Sequence, residues 1–151
     1  MSDVALEANG IRVVVRRGWE VEFGELDAVP GVAARSLVHL ANFALPADRG
    51  DYGSGAVEIM DGGGIFIVVM EFDRAAADTA LFAGAGVPSD LEITDFSPQA
   101  LQRRLSGQSG TQRFFTVGAR AFGLYVVLGS GRGAALLVPE VNRTLADVEI
   151  A

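Results

Sequence analysis

The sequence predicts an α+β fold with a mostly antiparallel sheet of about six or seven strands and two or three helices. Two tight turns, Asn9-Gly10 and Gly118-Ala119, each lie between apolar runs that alternate like strands. Proline marks two helix starts late in the chain, at Ser97-Pro98 and at Pro139. The chain has 151 residues, half of them hydrophobic, which suits a single domain over residues 1–151 with a sizeable core.

The first hairpin is predicted over residues 3–16. Asn9-Gly10 is the favoured type I′ turn, because both central positions need a positive φ. Pairing outward from this turn places Glu7 opposite Arg12 on one face. The other face is wholly apolar and consists of Val4, Leu6, Ala8, Ile11, Val13 and Val15. A third strand follows at residues 20–25, where glutamates alternate with Val21 and Phe23.

The middle of the chain is predicted to be mostly strand. Residues 34–45 fit both a strand and a helix, and we favour the strand, ended by Pro46. Residues 55–60 and 65–73 flank a glycine-rich loop and predict another hairpin. Asp73 is expected to cap a short alanine-rich helix over residues 74–83.

The last third is predicted to hold two helices and one strong hairpin. Ser97 is the expected N-cap of a helix over residues 98–105. The hairpin pairs residues 112–117 with 120–128 around Gly118-Ala119, where glycine comes first, as a type II′ turn prefers. Pro139 is expected to open the final helix.

Composition excludes several function classes. The net charge of −7 disfavours binding to nucleic acids and to anionic membranes, since both carry negative charge. The chain has no cysteine and no lysine, which excludes disulfides, thiolate metal sites and lysine Schiff-base chemistry. The longest apolar runs have strand length, and the acidic first residues lack a signal-peptide pattern. We therefore expect a soluble, cytoplasmic protein without membrane insertion.

Two motifs resemble cofactor or metal sites. Residues 129–134 match the G-x-G-x-x-A dinucleotide pattern, but that pattern needs a βαβ unit, and the preceding elements are predicted hairpins. His39 is the single histidine, and a transition-metal site normally needs more than one His or Cys. We expect a flexible strand-to-helix connection, a core or edge histidine with one hydrogen bond, and no cofactor or metal. Asp48 and Asp51 are a weaker candidate for calcium binding.

The candidate ligand site comprises Glu58, Arg113 and Arg120. Glu58 lies among apolar residues and would need an Arg or a hydrogen bond if it is buried. Arg113 and Arg120 share one face of the hairpin predicted over residues 112–128, so both are candidate partners. Structural ion pairs are the competing interpretation. A separate aromatic interaction surface is predicted at Trp19, Tyr52 and Phe82.

The order of elements resembles the Mog1/PsbP-type α+β fold. Gly18-Trp19 after the first hairpin, a run of antiparallel strands and a closing helix carry this resemblance. Residues 113–130 are also similar to small uncharacterised actinobacterial proteins, which suggests a bacterial origin. Mog1/PsbP-like proteins are mostly non-enzymatic, and they bind a GTPase, join photosystem assemblies or act as chaperones and lipoproteins. This chain lacks the lipoprotein cysteine of the exported members.

Two functions follow as hypotheses. The first is a non-catalytic protein-binding or adaptor/assembly domain with a protein partner or self-association, favoured by the surplus of apolar residues and the resemblance. The alternative is a small-ligand-binding protein or an enzyme that uses carboxylate and Arg side chains around Glu58. We favour the non-enzymatic function, because no residue set forms a recognisable catalytic constellation.

Overall fold

The computed structural model describes residues 3–26, Pro30 and residues 35–151. Within these ranges the chain forms eight strands, two α-helices and four 3-10 segments, so the predicted α+β class is confirmed. The strands are β1 (Val4–Ala8), β2 (Ile11–Val15), β3 (Glu20–Leu26), β4 (Arg35–Ala41), β5 (Ile65–Phe72), β6 (Ser109–Val117), β7 (Arg120–Leu128) and β8 (Val148–Ile150). The helices are α1 (Ser54–Ile59) and α2 (Ala134–Ala146), and the 3-10 segments are Arg74–Asp78, Ala80–Phe82, Ile93–Asp95 and Pro98–Ala100.

The strands form two antiparallel sheets. One sheet has three strands in the order β1-β2-β8, and the other has five in the order β3-β4-β5-β7-β6. Each paired strand runs antiparallel to its neighbours in the described chain. The predicted antiparallel arrangement is therefore correct, although it is divided between two sheets.

The two predicted hairpins with two-residue turns are confirmed. Asn9 and Gly10 have φ angles of 53° and 79°, as a type I′ turn requires, and Ala8 pairs with Ile11 in the predicted register. Gly118 has a φ angle of 59°, and Val117 pairs with Arg120 across it. Local turn chemistry therefore sets both registers.

Two hydrophobic cores pack on opposite faces of the five-stranded sheet. Because successive side chains of a strand point to opposite faces, β5 contributes to both cores. Its residues Ile65, Ile67 and Val69 join α2 and β2 in the first core. Phe66, Val68 and Met70 join α1 and the loop around Leu101 in the second core.

The predicted hairpin of residues 55–60 with 65–73 is wrong, since Ser54–Ile59 form helix α1 and β5 pairs with β4 and β7. The helix begins after Gly53, which has a φ angle of 75° and lies so close to Phe66 that a Cβ atom would overlap its ring. The alternation of Val57 with Ile59 resembled a strand, but only Val57 is buried, whereas Ile59 is exposed.

The other predicted helices also need correction. Residues 74–83 form two short 3-10 segments, although Asp73 accepts a hydrogen bond from the Ala75 backbone as the predicted cap. Residues 98–105 form only the 3-10 turn Pro98–Ala100, because Leu101 returns to an extended backbone. Helix α2 begins at Ala134, so Pro139 lies inside it, and strand β8 was not predicted.

Candidate functional site

Arg120 is the most highly connected of the predicted ligand-site residues. Its guanidinium donates to both carboxylate oxygens of Glu71 at 3.0 Å and to the Ser36 hydroxyl at 3.4 Å. Its Nη1 atom donates to the backbone oxygens of Asn9 and Ala151 at 3.0 and 3.1 Å. A guanidinium has five N–H groups, so these five contacts occupy its donors and leave none for a ligand.

Glu71 provides the counter-charge and is itself only 4% exposed. Burial acts to raise the pKa of Glu71, but the hydrogen bonds from Arg120 and from the Ser36 backbone N–H outweigh it and lower the pKa overall. The carboxylate is therefore held ionised. This pair joins β5 to β7 and reaches β4 and the first hairpin, which is a structural role.

The structure does not bring Glu58 together with Arg113 or Arg120. Glu58 lies on α1 and forms a half-exposed ion pair with Arg103 at 2.5 Å. Arg113 forms a separate ion pair with Asp95 at 3.1 Å. The predicted grouping depended on a strand at residues 55–60, and the helix at this position gives Glu58 a different partner.

His39 is buried on β4, the core position among the two predicted, and it makes two hydrogen bonds rather than the predicted one. Its Nδ1 accepts from Arg49 Nε at 2.6 Å, and its Nε2 lies 2.7 Å from the Asp51 backbone oxygen. Since Arg49 always donates, Nδ1 carries no proton, and the ring is neutral with its proton on Nε2. Burial, helped by the charge of Arg49, lowers the pKa of His39 and favours this neutral form.

The contacts of Arg49 and of the Asp51 backbone also hold in place the loop that contains Asp48 and Asp51. Arg49 forms an ion pair with Glu22 and donates to the Pro46 backbone oxygen at 2.8 Å. Across the described ranges, no three His, Cys, Asp or Glu side chains converge to hold a metal ion.

An apolar pocket with a cavity volume of about 50 Å³ lies on the second-core face of strands β5, β7 and β6. Its walls are mainly aliphatic and aromatic, and its polar side-chain groups are an amide and two phenols. The residues that line the pocket include Tyr52, Met70, Phe72, Gln112, Phe114 and Tyr125.

Aromatic rings support the pocket from one side. Phe72, Phe82 and Phe114 pack edge to face, with ring centroids 5.3 to 6.0 Å apart. Gly123 permits this arrangement, because a Cβ atom there would lie 2.7 Å from the Phe72 ring. The wall is therefore formed by close packing between adjacent strands.

Tyr52 forms the rim of the pocket and is 42% exposed. Its ring meets Tyr125 at 6.4 Å, and the Tyr125 hydroxyl accepts a hydrogen bond from the Gln102 backbone at 2.7 Å. Burial raises the pKa of Tyr125, so its phenol stays neutral.

Of the three residues predicted for an interaction surface, only Tyr52 is well exposed. Phe82 is 4% exposed, so its prediction as a surface residue is wrong, although it supports the pocket wall. Trp19 is half-buried against the first core, so it lies apart from the pocket. Phe72 and Gly123 were not predicted. A glycine inside a strand often marks a close approach, and Gly123 was the available signal.

The glycine pattern at residues 129–134 does not form a dinucleotide site. The preceding strand β7 is antiparallel to both β5 and β6, whereas the dinucleotide pattern requires parallel neighbours. Gly129 instead allows close packing, because a Cβ atom there would overlap the backbone of Asp61. Residues 129–133 connect β7 to α2, as predicted, and the flexibility of this connection stays a prediction.

No protein-family profile, no curated protein and no solved structure matches the chain. No helix in the described ranges combines the length and the apolar character that a membrane crossing needs.

Proposed function

We propose that this chain is a non-catalytic protein-binding domain of the adaptor or assembly type, which accepts an apolar side chain of its partner in the pocket beside Tyr52. The observation that supports this proposal is an open pocket walled by aromatic rings, with a half-exposed tyrosine at its rim. Binding energy at protein interfaces is concentrated in apolar or aromatic anchors that fill such pockets.

The lining chemistry favours an apolar anchor. The described lining contains no Asp, Glu, Arg or His, so burial of apolar surface is the main available driving force. Full burial of one leucine or phenylalanine side chain contributes about 1.5–3 kcal/mol. Gln112 and Tyr52 supply polar groups for the orientation of a partner backbone.

The resemblance to Mog1/PsbP-type proteins supports the same proposal, because members of that group mostly bind or assemble. The alternative function uses the same pocket for a free small apolar molecule. The former candidate site at Glu58, Arg113 and Arg120 adds no support to this alternative, because each of these side chains has a separate ionic partner.

The proposal can be tested by NMR titration and peptide selection. Capped leucine and phenylalanine amides should shift the backbone resonances of Phe114 and Gly123, whereas a capped asparagine amide should not. Peptides selected from a random library should share an apolar residue and bind at the same resonances. Val68→Phe, which fills the pocket, and Tyr52→Glu, which places a charge at its rim, should abolish both effects.

Ile59→Glu is the matched control, since Ile59 is 60% exposed and lies outside the pocket lining. Binding should persist in this variant. Peptides that bind the Val68→Phe variant as well as the unmodified chain would contradict the proposal. Binding of the small amides without any selected peptide would favour the small-ligand alternative.

A further inference from the structure

We infer that strand β1 pairs with β1 of a second copy of this chain, around a two-fold axis at Leu6. The inference is independent of the pocket, whose lining contains no β1 residue. Strand β1 forms the edge of the three-stranded sheet and is exposed along nearly its whole length. Its apolar side chains Val4 and Leu6 are 59% and 39% exposed.

The other described sheet edges carry features that protect edges from pairing. Strand β6 is covered by backbone hydrogen bonds from Gly86 and Ser97 to its residues Thr116 and Gly110. Strand β3 carries three glutamates, and β8 has only three residues. Charges, coverage and shortness all discourage edge pairing. Strand β1 has an apolar face and one glutamate, so it is the least protected of these edges.

Among the described residues, the backbone of β1 has hydrogen-bonding groups without a partner at two positions. Gly10 and Val14 of the neighbouring segment bond to the β8 side, through Ala151 and Asp147. Because bonding direction alternates along a strand, Ile11, Val13 and Val15 bond to β1 through their partners Ala8, Leu6 and Val4. The N–H and C=O groups of Ala5 and Glu7 therefore point away from the sheet.

These groups favour one symmetric register. With Leu6 on the axis, Ala5 faces Glu7 of the second copy, and the two residues can exchange both of their backbone hydrogen bonds. An axis at Ala5 would place Glu7 opposite Asp3, and an axis at Glu7 would place two glutamates together, which is destabilising. A shift of the pairing register by one residue would place the apolar side chains of the two copies on opposite faces of the joined sheet. The sequence of the strand is thus self-complementary around Leu6.

The absence of cysteine in the chain makes disulfide trapping a clean test. Leu6→Cys should form a covalent dimer under mild oxidation. Two non-hydrogen-bonded partners have Cα atoms about 4.5 Å apart, within the range that a disulfide bridges. Val4→Cys is the matched control. In this register the two Val4 positions are offset by four residues, so they lie about 13 Å apart. Leu6→Cys should give about ten times the dimer yield of Val4→Cys, since only the first pair lies within disulfide reach.

A second variant tests the backbone pairing. Ala5→Pro removes an N–H that bonds to nothing in β2, so the single chain should keep its thermal midpoint. In the background of Leu6→Cys it should reduce dimer formation to the level of Val4→Cys. Equal yields from Leu6→Cys and Val4→Cys, no dimer from Leu6→Cys, or full dimer formation with Ala5→Pro would each overturn the inference.

Discussion

In the buried pair of Glu71 and Arg120, the charged groups bind other parts of the fold rather than a ligand. The guanidinium contacts β5, β4 and the turn of the first hairpin, and it also lies over the Phe122 ring at 5.1 Å. From the sequence, Arg120 stood out as a ligand-binding candidate. Its partner Glu71 belongs to a strand about 50 residues earlier, and such distant pairing follows from tertiary packing rather than from a local motif.

Replacement of Arg120 by methionine should therefore destabilise the protein strongly. The variant leaves the Glu71 carboxylate buried without its partner, which typically costs about 3–5 kcal/mol. Urea unfolding would measure this change. Arg143→Met is the matched control, because its ion pair with Glu140 is exposed and should contribute less than about 1 kcal/mol. A loss for Arg120→Met no larger than that of the control would contradict the structural role.

His39 should make stability depend on pH in a defined window. The folded state lowers the pKa of His39 below 6.5, so the unfolded state binds a proton first as the pH falls. Stability should be full above pH 6.5, decrease as the pH falls below it, and level off once the folded histidine is also protonated.

Urea unfolding between about pH 7 and 5.5 isolates this effect, because carboxylates titrate mainly at lower pH. His39→Gln removes the only histidine and should give a nearly constant free energy of unfolding across this window. An equal pH dependence in the variant would assign the effect to another group.

At the scale of elements, helix α2 contains a proline at an unfavourable position. Pro139 lies in the helix interior, where it removes a backbone hydrogen bond and crowds the preceding turn. Its side chain is exposed, so it contributes little to the core. Valines and a leucine on the buried face hold the helix in place, and this packing offsets the proline.

Pro139→Ala should therefore stabilise the protein by about 2 kcal/mol, since proline is about 3 kcal/mol worse than alanine in a helix interior and part of this gain is offset in the unfolded chain. Thermal unfolding would show a higher midpoint. Pro98→Ala is the control, because Pro98 occupies the first position of its 3-10 turn, where proline is well tolerated. An unchanged or lower midpoint for Pro139→Ala would show that the proline does not destabilise the folded protein.

The elements also show what the sequence could predict. The two hairpins with two-residue turns followed from local turn chemistry, and their registers were correct. Helix α1 was predicted as a strand because six residues are too few for periodicity to separate the two structures. Strand β8 was missed because it is short and its pairing with β2 joins distant parts of the chain.

For the whole molecule, the main unpredicted feature is the arrangement of the two sheets. The order β3-β4-β5-β7-β6 places β7 beside β5, which brings Gly123 next to Phe72 and so creates the pocket wall. Tyr52 was predicted as an interaction residue from its aromatic character, but its position at a pocket depends on helix α1 and the loop before it. The site thus depends on non-local packing, and single residues were predicted without their neighbours.

The shared strand β5 should make the molecule unfold as one unit. Strand β5 supplies side chains to both cores. If β5 unfolds together with one core, its side chains in the other core also lose their packing. Domains of about this size usually unfold in a single transition. The only tryptophan, Trp19, packs against the first core and reports on it by fluorescence. A second probe on the other face comes from Tyr52→Trp combined with Trp19→Phe, since Tyr52 contacts Tyr125 of the second core.

Urea unfolding of each probe, together with far-ultraviolet circular dichroism of the same protein, should give one coincident transition per protein. The urea dependence of the free energy should also be the same for both proteins, because it scales with the surface exposed on unfolding. If fluorescence of the second-core probe changed at a lower urea concentration than the circular dichroism signal, the second core would open separately while the sheet remained folded. That result would contradict the coupling through β5, because Phe66, Val68 and Met70 would lose their packing while Ile65, Ile67 and Val69 kept theirs.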